Sequence, residues 1–184
     1  MARAKTGHNG VLRLLFPRGK SKSLLSLLLA LLAAVGAYSF APGRVIRVAD
    51  GDTLTMFSPE REMLKVRLYG VDAPESDQPG GKEARAFASD LALLHEVEVR
   101  TLDTDRYGRS VGMVRLTDGR MLNEELVRAG LAWVYLDYCR EIQCVRWLAL
   151  EKEARAAGRG LWKRKNPVPP WEWRAGHRRG SADS

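Results

Sequence analysis

The sequence has few of the side chains that bind soft metal ions. Its 184 residues include two cysteines, Cys139 and Cys144, and three scattered histidines. Because no histidine lies near the cysteine pair, these residues do not complete the four-ligand shell of a zinc site. We expect each histidine to be an ordinary surface or strand residue. The scarcity therefore argues against a zinc centre as the basis of any activity.

Acidic residues are absent from residues 1–41, which carry six lysines and arginines. The basic stretch 1–22 is followed by an uncharged, leucine-rich run at 23–41. That run has about the ~20 residues that a membrane-spanning helix needs. We expect an uncleaved signal anchor whose basic end stays in the cytoplasm, so that the domain is exported to the periplasm or cell exterior. A cleaved signal peptide, which would release a secreted protein, is the alternative.

Export also bears on the two cysteines, because disulfides persist in oxidising compartments. An even, close pair on an exported chain predicts a local disulfide between Cys139 and Cys144.

The formal net charge of +8 suggests nucleic-acid binding, but this charge lies at the two ends. Residues 159–184 hold seven basic and two acidic side chains. Residues 42–158 hold 17 basic and 20 acidic side chains, a net charge of −3. Bulk charge therefore does not attract the central region to a polyanion, and any such affinity must come from individual arginines and a bound cation.

Short strands with interleaved helices follow the leader. Apolar alternation and turn residues predict five strands, and apolar residues at helical spacing predict about three helices. This pattern favours an α+β domain, a five-stranded oligonucleotide-binding-type β-barrel with packed helices, at 42–163. The N-terminal hydrophobic segment is expected to form a helix before it. Residues 164–184 read as a basic tail containing proline and tryptophan, and the prolines at 166–173 argue against regular helix there.

Three charged clusters carry the chemical signal: 50–53 (DGDT), 67–75 (RLYGVDAPE) and 105–109 (DRYGR). Each alone would be an ordinary turn or strand end. Together they supply carboxylate oxygens of the kind that hard cations such as Ca²⁺ bind. They also supply arginines, which can donate in pairs to phosphate oxygens. The combination predicts a site for a divalent cation and a phosphodiester under attack by water.

With these residues the chain resembles the staphylococcal nuclease (thermonuclease) family over about 44–162. The resemblance rests on the three clusters and on two further motifs, 123–132 (NEELVRAGLA) and 160–162 (GLW). It implies an oligonucleotide-binding barrel with three helices. It also implies Ca²⁺-dependent hydrolysis of DNA and RNA, with nucleic acid as the partner, and we expect a monomer.

The resemblance also assigns roles by position. Asp52 and Asp72 bind Ca²⁺ through their carboxylates, the backbone carbonyl of Ala73 joins them, and Asp50 lies in the outer shell. Separate residues serve the phosphodiester and the water. Arg67 and Arg109 clamp the phosphate. Glu75 acts as general base or water positioner, and Tyr107 and Tyr138 contact the substrate.

Two departures from the family pattern affect rate and substrate preference. Ala73 stands where the namesake enzyme has threonine, and the loop at 76–86 is shorter than in that enzyme.

The alternative function is a catalytically inactive module of the same fold that binds nucleic acid or protein. Retention of all the charged residues favours the enzyme.

Overall fold

The computed structural model describes residues 26–27 and 40–180, with side chains placed up to Gly176. The barrel belongs to the compact unit Phe40–Ser184. Most of the predicted basic leader and hydrophobic helix lies outside the described residues, so the anchor and its cleavage stay predictions. Where the structure does describe the chain, no helix combines the length and apolar character needed to cross a bilayer.

Five strands form a closed barrel in the order β1-β2-β3-β6-β5. All neighbouring pairs are antiparallel except β3 and β6, which are parallel and close the barrel. Two further short strands, β4 and β7, pair with each other. The predicted five-stranded barrel is thus confirmed. The strands are β1 (Ala41–Val48), β2 (Thr53–Phe57), β3 (Met63–Leu68), β4 (Val71–Asp72), β5 (Glu96–Thr104), β6 (Ser110–Leu116) and β7 (Trp133–Val134).

The alternating pattern of β3 shows how the sequence sets the inner and outer faces of the barrel. Val66 and Leu68 are buried in the core, whereas Arg67 between them is only partly buried. Successive side chains of a strand point to opposite faces, so the apolar positions place Arg67 on the other side. Strand β1 begins at Ala41, one residue before the predicted start of the domain.

Three helices pack on the barrel as predicted. Helix α1 (Gly81–Ala92) buries small side chains, and α2 (Leu122–Arg128) is followed by Gly130 at a positive φ of 70°. Helix α3 (Gln143–Ala156) buries its apolar positions Trp147, Leu150 and Ala154. That face is the one expected from the helical spacing.

A fourth helix, α4 (Pro170–Gly180), corrects the expectation that residues 166–173 contain no regular helix. Pro170 is the first residue of the helix, a position where the missing N–H needs no partner and the fixed φ suits helical geometry. The other two prolines of the stretch lie before this point. Proline here begins a helix, and the prediction was wrong for 170–173.

The structure joins Cys139 and Cys144 by a disulfide. The bridge packs against Gly70, which lies between β3 and β4 at a φ of +68°. A Cβ at Gly70 would come within 2.5 Å of the Cys139 sulfur. The disulfide therefore supports the chain immediately before Asp72.

Candidate active site

The turn between β1 and β2 presents two aspartates. The backbone N–H of Asp52 donates a 3.1 Å hydrogen bond to Oδ1 of Asp50, the local bond that makes aspartate favourable in turns. Gly51 allows the turn to lie against its neighbours, since an added Cβ would be 2.7 Å from the Cβ of Ala73 and 2.8 Å from that of Ala84. The close approach buries Asp52 almost completely.

Arg67 joins the two buried carboxylates. Register pairing of β2 with β3 places Arg67 opposite Thr53, next to Asp52. Its Nη1 donates to Oδ1 of Asp52, and its Nη2 donates a 2.6 Å bond to Oδ1 of Asp72. Asp72 is fixed in turn by the pairing of β4 with β7. Residues from two separate motifs thus meet at one edge of the barrel.

The buried carboxylates of Asp52 and Asp72 favour additional positive charge near them. Burial raises the pKa of Asp52 well above its ordinary 3.8; Asp50 and Asp72 raise it further, while Arg67 and the Ala73 N–H act in the opposite direction. Burial alone would lower the pKa of Arg67, but Asp52 and Asp72 outweigh it and hold that pKa above its ordinary value. Arg67 therefore stays charged, whereas the desolvation of the Asp52 carboxylate is not fully offset by its neighbours.

Glu75 lies next to this pair and contacts an arginine that the sequence did not predict. Arg174 of α4 donates from Nη1 to Glu75 at 2.8 Å and to Oδ1 of Asp72 at 3.1 Å. Its Nη2 donates to Oδ2 of Asp72 at 2.8 Å. The proposed metal ligand and the proposed base thus share one guanidinium group.

The backbone around Glu75 is held by the start of α1. The N–H of Glu75 donates to Gln78 Oε1 at 3.2 Å, and the N–H of Gln78 donates back to the Glu75 carbonyl at 2.9 Å. Gly81 is required here, because a Cβ would lie 1.8 Å from that carbonyl oxygen. The short loop after Glu75 is therefore tightly packed.

Arg109 and Tyr107 lie on the β5–β6 hairpin. Arg109 Nε donates a 2.6 Å bond to Asp105, which also accepts the N–H groups of Tyr107 and Arg109. Burial opposes ionisation of Asp105, but these bonds hold its pKa below 3.8. Tyr107 is 68% exposed, with the Arg109 guanidinium 5.6 Å from its ring centre. Among the described residues, the polar contacts of Arg109 lie within this hairpin, and none of them reaches Asp52, Arg67 or Asp72.

Tyr138 belongs to an aromatic group near the same edge. Its ring lies 4.8 Å from Tyr135, and Tyr135 stacks on Trp171 of α4 at 5.0 Å. Burial raises the pKa of Tyr135, and the negative charge of Asp72 adds to this effect. Tyr138 itself is 63% exposed.

The donor set fits a hard divalent cation in its chemistry. When all are ionised, Asp50, Asp52, Asp72 and Glu75 face two guanidinium groups, which leaves a formal charge of −2. Among the side chains that the structure describes, no three acidic, histidine or cysteine groups are arranged so that they could hold a metal ion. The guanidiniums of Arg67 and Arg174 lie between the carboxylates.

Sequence reasoning missed the contribution of the C-terminal segment. Arg174 was one of several basic residues in a tail, and nothing in local spacing distinguishes it. Gln78 lies in a loop that carries no functional motif, yet its side-chain amide donates a 2.7 Å hydrogen bond to the Val168 carbonyl of the C-terminal segment. The one available signal was Trp171, since an aromatic residue in a polar tail indicates a packed segment.

Comparison with known proteins shows the family of this chain. Residues 65–164 match the family described as staphylococcal nuclease homologue. An uncharacterized endonuclease of Escherichia coli O157:H7 is 42% identical over 132 residues, covering 72% of this chain and 84% of that protein. A micrococcal nuclease of Shigella flexneri is 37% identical over 152 residues, covering 78% and 86%. An uncharacterized endonuclease of Haemophilus influenzae is 35% identical over 155 residues, covering 83% and 85%. The chain therefore belongs to the staphylococcal nuclease homologue family, as a hydrolase of the nuclease class.

Proposed function

We propose that this chain is a Ca²⁺-dependent nuclease that hydrolyses phosphodiester bonds of DNA, RNA or both. The observation that carries the proposal is the buried pair Asp52 and Asp72, bridged by Arg67, with Glu75 beside it. Burying two carboxylates together is costly unless cations compensate them. Such a cost is typical of functional sites.

The carboxylates of Asp52 and Asp72 and the carbonyl of Ala73 would hold Ca²⁺, with Asp50 in the outer shell. When bound, the ion supplies positive charge to the phosphate oxygens and to the attacking water. The hydrogen bond from the Ala73 N–H to Asp52 holds the Asp52 carboxylate close to the Ala73 backbone before substrate binds.

Arg67 and Arg109 bind the phosphate oxygens in the proposed mechanism, where their planar donors match the negative charge that develops during attack. Glu75, with 35% of its side chain exposed, can reach a water molecule and orient or deprotonate it. Tyr107 and Tyr138 offer exposed rings on which a nucleotide base or sugar can pack.

A direct test uses the full-length chain and single-stranded DNA. We expect cleavage with Ca²⁺ and none after chelation. Glu75→Gln should lower kcat by about 10²–10⁴-fold, the usual contribution of general acid–base catalysis. The matched control is Glu83→Gln, whose side chain is 61% exposed and faces Arg164. Cleavage that survives both the chelator and Glu75→Gln would refute the proposal, and binding without any cleavage would favour the inactive module.

We further propose that the domain is exported as a monomer and anchored by residues 23–41. Sequencing the N-terminus of the mature protein from cells tests the anchor, because a start near Pro42 would indicate a secreted form. Light scattering of purified protein tests the monomer.

A further inference from the structure

Arg174 occupies the hydrogen-bonding positions that a cation would need. Oδ1 of Asp72 accepts from Arg67 at 2.6 Å and from Arg174 at 3.1 Å, and Oδ2 accepts from Arg174 at 2.8 Å. Asp72 is completely buried, so no oxygen is open to solvent. Both oxygens of the proposed ligand are therefore already engaged by guanidinium groups.

The helix that carries Arg174 is docked by contacts of its own. Trp171 stacks on Tyr135, with ring centres 5.0 Å apart and planes within 10°. Trp171 also meets the edge of Trp133 at 6.5 Å, and Pro170 is buried. Before the helix, the Val168 carbonyl accepts a hydrogen bond from buried Gln78. Arg174 is thus held at a high effective concentration next to Asp72.

A hard cation and Arg174 make incompatible demands on the same atoms. Ca²⁺ takes oxygen ligands at about 2.3–2.6 Å, and it binds several of them at once. Arg174 donates to both carboxylate oxygens of Asp72, which are the oxygens that such an ion would use at this residue. Arg67 donates only to Oδ1 of Asp72, whereas among the described residues Oδ2 accepts a hydrogen bond from Arg174 alone. A divalent ion on Oδ2 would lie against the charged Arg174 guanidinium, so the ion and Arg174 compete for that oxygen.

We propose that Arg174 is a built-in competitor of the divalent cation, which must displace the Arg174 side chain from Asp72 and Glu75 before it binds. The inference rests on the proposed function and adds regulation to the same site. Without the ion, Arg174 offsets the charge of buried Asp72 and of half-buried Glu75. Docking of α4 thereby sets the cation concentration at which the enzyme becomes active.

Calcium binding without substrate tests the competition, measured by titration calorimetry on the full-length chain at constant ionic strength. Arg174→Gln removes the charge but keeps a polar side chain. We expect it to tighten Ca²⁺ binding at least about tenfold, the scale of losing one charge-assisted hydrogen bond. The matched control, Arg164→Gln, removes a charge from the same segment, 3.7 Å from Glu83 and outside the site. It should leave the affinity unchanged.

A second variant removes the docking contact and leaves Arg174 in place. Trp171→Ala loses the stack on Tyr135, so it should also tighten Ca²⁺ binding, by less than Arg174→Gln. Circular dichroism and a cooperative urea transition establish that each variant is folded.

The outcomes separate this inference from the proposed function. Tighter Ca²⁺ binding in Arg174→Gln supports the competition. Unchanged or weaker binding, in a protein that still needs Ca²⁺ to cleave DNA, overturns the competition alone. Unchanged Ca²⁺ affinity with a lower kcat would show that Arg174 contacts substrate, which also overturns it. Absence of Ca²⁺ binding in every variant, with cleavage in chelator, would overturn both proposals.

Discussion

The backbone N–H of Ala73 donates a 2.6 Å hydrogen bond to Oδ2 of Asp52. This bond joins the chain after β4 to the turn before β2, two segments that lie 21 residues apart. It requires an acceptor oxygen but no charge, so an asparagine at position 52 can preserve it. The geometry and the charge of Asp52 can therefore be tested separately.

Asp52→Asn should remove Ca²⁺ binding and activity and leave the protein folded. Because burial raises the pKa of Asp52 in the folded state, its ionisation opposes folding, and this penalty grows as pH rises from 3.8 towards the raised value. Asparagine removes this penalty, but its single acceptor oxygen serves the Ala73 N–H and its NH₂ group then faces Arg67 Nη1. In chelator at pH 7, we expect the two effects to offset each other, so that the free energy of unfolding stays within about 2 kcal/mol of the wild type. Calorimetry should show Ca²⁺ affinity lowered at least about tenfold. Asp90→Asn, at an exposed position, serves as the control. A Ca²⁺ affinity equal to that of the wild type would contradict this account.

Arg109→Ala should lower kcat/KM by about 10²–10³-fold, the range found when a charge-stabilising donor is removed. Arg120 offers a matched control, since it forms a similar hairpin ion pair with Asp118 at 2.6 Å but lies outside the site. Arg120→Ala should leave the kinetics unchanged. Equal losses in the two variants would mean that Arg109 acts only through the stability of its hairpin.

Asp105 should give the hairpin a pH-dependent stability. Its folded pKa lies below 3.8, so its contribution is present above that pH and is lost as pH falls through the folded value. At pH 7 we expect Asp105→Asn to lower the free energy of unfolding by on the order of 1 kcal/mol, since the pair is partly exposed. The difference from wild type should shrink below about pH 4. A difference that stays constant in urea titrations from pH 3 to pH 7 would exclude this role of the charge.

The Cys139–Cys144 disulfide should stabilise the region before Asp72. Closing so short a loop contributes about 2 kcal/mol in the chain-entropy account. Reductant should lower the free energy of unfolding of the wild type by about this amount. The double variant Cys139→Ser/Cys144→Ser should not respond to reductant. Two reactive thiols in the unreduced protein would rule out the bridge.

Much of the barrel could be predicted because its signals are local. The alternation around Arg67 and the turn residues at 50–52 act between near neighbours, and the structure follows them. The helix that begins at Pro170 was missed because local signals do not distinguish a proline that begins a helix from one that breaks it. Proline breaks the interior of a helix, whereas the first helical position accommodates it. Whether Pro170 ends or begins a helix depends on the surface against which Trp171 packs. The local sequence does not show that surface, which Trp133 and Tyr135 form.

The sequence alone determined which residue types are available to the site, since the order and spacing of the three charged clusters bring carboxylates and arginines to strand ends and turns. Only the tertiary structure decided which of them meet. Arg67 reaches two carboxylates through strand register, whereas Arg109 pairs within its hairpin. Arg174 reaches Asp72 across 102 positions. Such a contact depends on the docking of a helix, a sum of distant packing interactions that no periodicity in the chain records.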